Sequence, residues 1–190
     1  RLHRPSDRRR ERQLESGDAP EAETVVIRFI ASDAQAQALE NGEIQAMDPQ
    51  PTPDITKQLA ALGDQVVYES KDQFTFEHYD FNFDGVFKDE TLRQAFALCL
   101  PREQIVESLI RTDNPEANVL DSRYFLPFQP DYDEVAAAIT PEEFATQNIE
   151  EAKRLVEEAD AVGTDVRLGY IIPNPRREAE AQLVQEACGP

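Results

Sequence analysis

Few side chains in this 190-residue chain could do chemistry, and the densest group lies in one run, Phe74 to Phe83 (FTFEHYDFNF). Side chains of an extended strand alternate between faces. Phe74, Phe76, His78, Asp80 and Asn82 therefore share one face, and Thr75, Glu77, Tyr79, Phe81 and Phe83 the other. Neither face is purely apolar, which implies polar exposure or a lined cavity on both. Read forward from Asp80, DFNFDG matches the opening of a calcium loop, D-x-N-x-D-G. The match breaks where the ion needs it: Lys88 stands at the ninth position, and Thr91 at the twelfth, where a bidentate Glu is required. His3 and His78 are the only histidines, and no Cys or His cluster offers a zinc set. No G-x-S-x-G, phosphate-loop or dinucleotide fingerprint occurs, and no nucleophile–base pair. Neither enzymatic chemistry nor a cofactor is expected.

The elements around this run can be read from caps and periodicity. Thr24 to Ile30 (TVVIRFI) has the β-branched and aromatic content of a strand. Ser32 and Asp33 offer an N-cap for a helix from Ala34 to Glu40, ended by Asn41-Gly42. Ile44 to Met47 reads as a second strand, Pro49, Pro51 and Pro53 as an extended linker, Asp54 to Leu62 as a helix stopped by Gly63, and Gln65 to Glu69 as a strand. After the Phe74–Phe83 strand, Asp84-Gly85 turns the chain. Asp89 then caps a helix whose apolar side carries Leu92, Phe96, Leu98 and Leu100. Pro101 stops that helix and suits the first turn of the next, with Ile105, Val106, Leu109 and Ile110. Residues 113 to 133 form a loop that must be ordered, because Phe125, Leu126, Phe128 and Tyr132 need burial; Glu142 to Ala145 could add a helical turn. Asn148 caps a helix from Ile149 to Ala159, Val166 to Ile172 reads as a strand, and Asn174-Pro175 opens a last helix, Arg176 to Ala187.

This order resembles the middle of the family 5 extracellular solute-binding proteins, the peptide, nickel and oligosaccharide receptors of ABC importers. Their extended strand ending in Asn, then "PF-x-D-x-x-(V/L)-R-x-A" and "A-(I/L)-D-R-x-x-I", is matched by Asn82, Val86-Phe87, Asp89, Leu92-Arg93, Ala95, Leu100, Arg102 and Ile105. Their "A-L-x-x-G-E-I-D" is matched by Ala38, Leu39, Gly42, Glu43 and Ile44, with Gln45 in place of the Asp. Their "A-K-x-L-(L/V)-x-x-A" is matched by Ala152, Lys153, Leu155 and Val156, and Asp160 stands where a glycine is usual. The string from Val86 to Phe125 looks most like actinobacterial members. The resemblance covers residues 24 to 188, a middle part of such a receptor.

The fold it implies is α/β, an incomplete periplasmic-binding-protein type II-like lobe with a mixed sheet and flanking helices. Residues 1–23 would be a flexible lead-in, 24–50 the edge of a first lobe and 51–190 most of a second. The implied activity is capture of peptides or a related small polar solute between two lobes, followed by recognition by an ABC permease in the membrane. The implied setting is the extracellular face or the periplasm, as a monomer, lipid-anchored in the full-length protein. Alignment on Asn82 places an acidic cleft residue of the peptide receptors at Asp80, with His78 beside it; a carboxylate there would pair with a peptide amine or a cationic side chain. The competing reading of this pair is a capping Asp and an edge His. Arg93 and Arg102 belong to the motif and are expected to hold helices to a carbonyl or carboxylate. A ligand-sensing domain of a transcription regulator with the same fold, or an interaction module with this α/β pattern, would share these features.

Composition narrows the partners. The chain carries 38 acidic and 19 basic residues, a formal charge of −19, and six of the basic residues are Arg1, Arg4, Arg8, Arg9, Arg10 and Arg12. The rest is more acidic still, which argues against a nucleic-acid face. The apolar stretch Val25 to Ala31 is far too short to span a bilayer. Cys99 and Cys188 do not make a disulfide framework: Cys99 is expected to be a small buried hydrophobe, and Cys188 to be free or to pair elsewhere.

Overall fold

The computed structural model of the chain describes residues 22–71, 74–139 and 141–189. The expected flexible lead-in falls almost wholly on residues 1–21, outside them. The chain divides into two units, Arg1–Ile30 and Ala31–Pro190. Within the first, residues 24–30 form neither helix nor strand, with Val25, Val26, Ile27 and Phe29 all strongly exposed.

The described residues fold as helices α1 (Gln35–Glu40), α2 (Pro53–Ala61), α3 (Glu90–Cys99), α4 (Arg102–Ile105), α5 (Tyr132–Ile139), α6 (Ile149–Glu158) and α7 (Pro175–Cys188). A 3-10 turn, Ser32–Ala34, leads into α1, and α4 runs on into a π-helical turn, Val106–Ile110. Capping explains most boundaries. Asp89 Oδ1 accepts the Thr91 N–H at 2.8 Å, Asn148 Oδ1 that of Glu151 at 3.1 Å and Asn174 Oδ1 that of Arg177 at 3.0 Å. Thr52, a cap absent from the sequence reading, does the same for Ile55 at 3.2 Å, with Pro53 at the first helical position. Ser32 and Asp33, by contrast, make no cap; the 3-10 turn takes them up. The turn after α1 closes on Gly42 at φ +71°, and α2 on Gly63 at φ +52°. α5 was not foreseen, because its segment reads as a loop until Ala136 to Ala138 supply helix propensity.

The sheet is not there. No β-strand occurs among the described residues, so the expected mixed sheet is overturned. The runs 24–30, 44–47, 74–83 and 166–172 contain no helix, and Gln65, at the head of the run 65–69, ends a 3-10 turn, Gly63–Gln65; 76–81 and 166–171 line a cleft described below. Alternation and β-branched content specify an extended backbone, but a sheet exists only where a neighbour completes the ladder. No backbone hydrogen bond joins 76–81 to 166–171. Val166, Leu168, Tyr170, Ile171 and Ile172 consequently stay exposed.

Two apolar clusters hold the unit. In one, Ala36 of α1 packs with Ile55, Leu59 and Leu62 of and beside α2. In the other, Ala95, Leu98 and Cys99 of α3 meet Ala152 and Leu155 of α6, flanked by Phe96, Phe144, Ile149 and Val156. The Asn148 N–H donates to Leu98 O at 2.8 Å and Gln147 Nε2 to Cys99 O at 2.7 Å, so the entry to α6 satisfies carbonyls that the end of α3 would leave open. No large side chain among the described residues is fully buried, and a core this thin needs other support. One support contradicts the sequence reading: Cys99 and Cys188 are bonded to each other, with Cα atoms 5.3 Å apart. The ends of α3 and α7 converge, and a separation of 89 residues carries no trace of that in the sequence. The motif arginines also act as struts. Arg93 Nη1 donates to Phe87 O and Lys88 O, with its guanidinium over the Phe83 ring, and Arg102 donates to Phe144 O.

Candidate functional site

Among the described residues lies a half-open cleft of roughly 520 Å³. One wall is the non-helical segment 76–81 and the other 166–171; α7 supplies Arg177, Glu180 and Ala181, and Phe87 and Phe96 add apolar lining. The first wall is held by its alternate residues. Phe81 packs edge-on against Phe87 and Phe96, with ring centroids 4.7 and 5.8 Å away. Glu77 is gripped by both arginines of the first turn of α7: Arg176 Nη2 and Arg177 Nη2 donate to its carboxylate, the latter at 3.2 Å.

That grip has a local logic. Two cations in the first turn of a helix oppose the positive end of its dipole. The Glu77 carboxylate reverses the local sign and is itself favoured at a helix N-terminus. Burial pushes the Glu77 carboxyl up, but its bonds to Arg177 and Arg176 and their charges outweigh this and hold it below the usual range.

His78 and Asp80 come together as their spacing predicts: His78 Nε2 lies 3.2 Å from Asp80 Oδ2, and both line the cleft. They form its wet rim, with the Asp80 side chain 88% exposed. His78 also packs its ring 5.4 Å from that of Phe76. Of the lining residues, the sequence reading singled out His78 and Asp80 and not Glu180. On the floor, Glu180 is buried, and its Oε1 has no hydrogen-bond donor; Arg176 Nε, 3.6 Å away, is too distant. Burial first, and then the nearby charge of Glu77, push its carboxyl up, against the pull of Arg176 and Arg177. Tyr79 Oη is likewise buried without a partner, and burial with the two carboxylates raises its hydroxyl to about 12. The signal for this floor was legible in part: Glu77 and Tyr79 occupy the other alternation set, and Arg176 and Glu180 stand at i, i+4 on one helix face.

The cleft, lined by carboxylates and by Arg167 and Arg177, offers charges of both signs to a polar solute. The family agrees with that geometry. The profile of the bacterial extracellular solute-binding proteins, family 5, middle region, matches residues 9–189, and the chain belongs to this family. Its members are solute-binding components of ABC importers, extracellular or periplasmic. No curated protein and no solved structure matches the chain.

Proposed function

We propose that this chain captures peptides, or a related small polar solute, for an ABC importer, and that the cleft between 76–81 and 166–171 is where the solute is held. The observation that carries the reading is the lining: two non-helical backbone segments without mutual hydrogen bonds, Asp80 and His78 at one rim, and Arg167 on the opposite wall. Unpaired N–H and C=O groups suit the amides of a peptide, and charges of both signs suit a zwitterion. Asp80 contacts an ammonium or cationic side chain, and His78 orients its carboxylate. Residues 24–50 serve as the edge of one lobe and 51–190 as most of the other. Ligand stabilises the closed arrangement of the lobes, and the permease reads that state; the receptor acts as a monomer, lipid-anchored at the membrane surface. Nothing is cleaved or transferred.

Thermal denaturation against panels of short peptides, oligosaccharides and nickel chelates tests this. A solute at a hundred times its dissociation constant adds about 2.7 kcal/mol, a clear rise in melting temperature. Stabilisation by one panel supports a receptor and names its solute, peptides being expected; stabilisation by none of them removes the reading.

A further inference from the structure

The ion pairs of the cleft leave over one cation and one apolar wall. Of the arginines that line it, Arg177 is bonded to Glu77, whereas Arg167 makes no hydrogen bond or ion pair with any described residue. That is notable in a chain of 38 acidic and 19 basic residues. On the same wall Val166, Leu168 and Tyr170 are exposed, and Ile171 is 76% exposed. The facing segment 76–81 does not close over them, and between the two lies the half-open volume of the cleft. Apolar side chains grouped at the wall of a cleft are unfavourable in water and mark a place where something apolar is held. A second copy of the chain is a poor occupant, because each copy would bring a formal charge of −19 to the contact.

We propose that this wall selects a solute with an apolar side chain next to a carboxylate, as at the C-terminal residue of a peptide ending in leucine. The carboxylate would accept from the Arg167 guanidinium, whose planar donors suit a bidentate pair. The side chain would cover apolar surface of Val166, Leu168, Tyr170 and Ile171, and Phe76 adds an aromatic ring from the other segment. At an exposed site a guanidinium gives direction and on-rate more than affinity, so the apolar contact decides between solutes. This deepens the receptor reading, on which it rests, by naming the side chain and its neighbour: leucine over alanine, and a free carboxylate over an amide.

Isothermal titration of the full chain with Ala-Ala-Leu, Ala-Ala-Ala, Ala-Ala-Leu-amide and N-acetylleucine tests it, each carried to millimolar concentration. A buried methylene contributes about fourfold, so Ala-Ala-Leu should bind about tenfold or more tightly than Ala-Ala-Ala, and severalfold more tightly than its amide. The double variant Leu168→Ser with Ile171→Ser, both on exposed side chains, should abolish the preference for leucine and leave the affinity for Ala-Ala-Ala unchanged. Arg167→Gln should abolish the preference for the free carboxylate. An affinity for Ala-Ala-Leu equal to that for Ala-Ala-Ala or for the amide, or preferences unchanged in the variants, overturns the subsite and leaves the peptide receptor standing. Self-association of the free chain that the double variant dissolves gives the wall to a second copy and likewise overturns the subsite. Binding of N-acetylleucine that Arg167→Gln abolishes, with no peptide bound, supports the subsite and overturns the peptide reading. If none of the four binds, both fall.

Discussion

Glu77 and Arg176 stand 99 residues apart in sequence and meet in an ion pair that fastens the non-helical wall 76–81 of the cleft to the first turn of α7. With Arg177 as a second donor, the contact is a clamp rather than a surface ornament. Arg176 is mostly buried, and about a third of Glu77 still meets solvent. Glu77→Gln should therefore cost about 1–2 kcal/mol near pH 7, between the values of exposed and buried pairs. Because the Glu77 carboxyl sits below its ordinary range when folded, its contribution is present above the unfolded value, about 4.3, and fades as pH falls through the lower folded one. Melting curves of wild type and variant should converge in strong acid. A difference that persists there would mean the loss is steric.

Glu180 has the opposite sign. Its folded carboxyl is raised, so the folded chain holds that proton more tightly than the unfolded one does. Ionisation then removes stability as pH climbs above the ordinary carboxylate range. Glu180→Gln should raise the melting temperature of the ligand-free protein at neutral pH and leave it unchanged below about pH 4. A lower melting temperature at neutral pH would show that the attraction of Arg176 and Arg177 outweighs the cost of burial.

The disulfide between Cys99 and Cys188 closes a loop of 89 residues around a thin core. Reduction, or the double replacement by serine, should cost about 2–4 kcal/mol, seen as a lower urea midpoint. Equal midpoints with and without reductant would mean that α7 is held by packing alone.

Asp160 follows α6 with φ +51°, in the left-handed region that favours glycine. The glycine usual at this position in the family is thus a backbone requirement. Asp160→Gly should stabilise by about 0.5 kcal/mol, strain relief partly offset by a freer unfolded chain, whereas Asp160→Val should destabilise by about 1 kcal/mol or more. Thermal melts of the two variants should bracket wild type.

At the rim, Asp80→Asn keeps shape and removes charge. If Asp80 meets a solute cation, binding of a cationic peptide should weaken about threefold to tenfold, and less so at high salt, as expected for an exposed charge. An unchanged affinity would return Asp80 to a purely local partnership with His78.

Local signals were the legible part of this chain. Asp89, Asn148 and Asn174 cap the helices that their side chains announce, since a cap is decided within three residues. His78 and Asp80 were brought to one side by the two-residue period of extended backbone. The sheet was misread because Val166 to Ile172 encodes an extended shape but not a neighbour, and pairing is a property of two segments. Glu180 was not singled out for a related reason. It looks like one more acid on an acidic helix until α7 is laid against the wall bearing Glu77 and Tyr79. Nothing within ten residues of either cysteine reveals that α3 and α7 end side by side.

The Cys99–Cys188 link also governs how the molecule would respond to being pulled. Tension applied at the two ends passes through the bridge, so the 89-residue span containing α4, α5, α6 and α7 carries no load while the bond is intact. At about 3.4 Å per residue, roughly 300 Å of contour length is withheld from extension. A stretched chain should thus pay out only its flanks, and release the remainder in a single added length once a reductant is supplied.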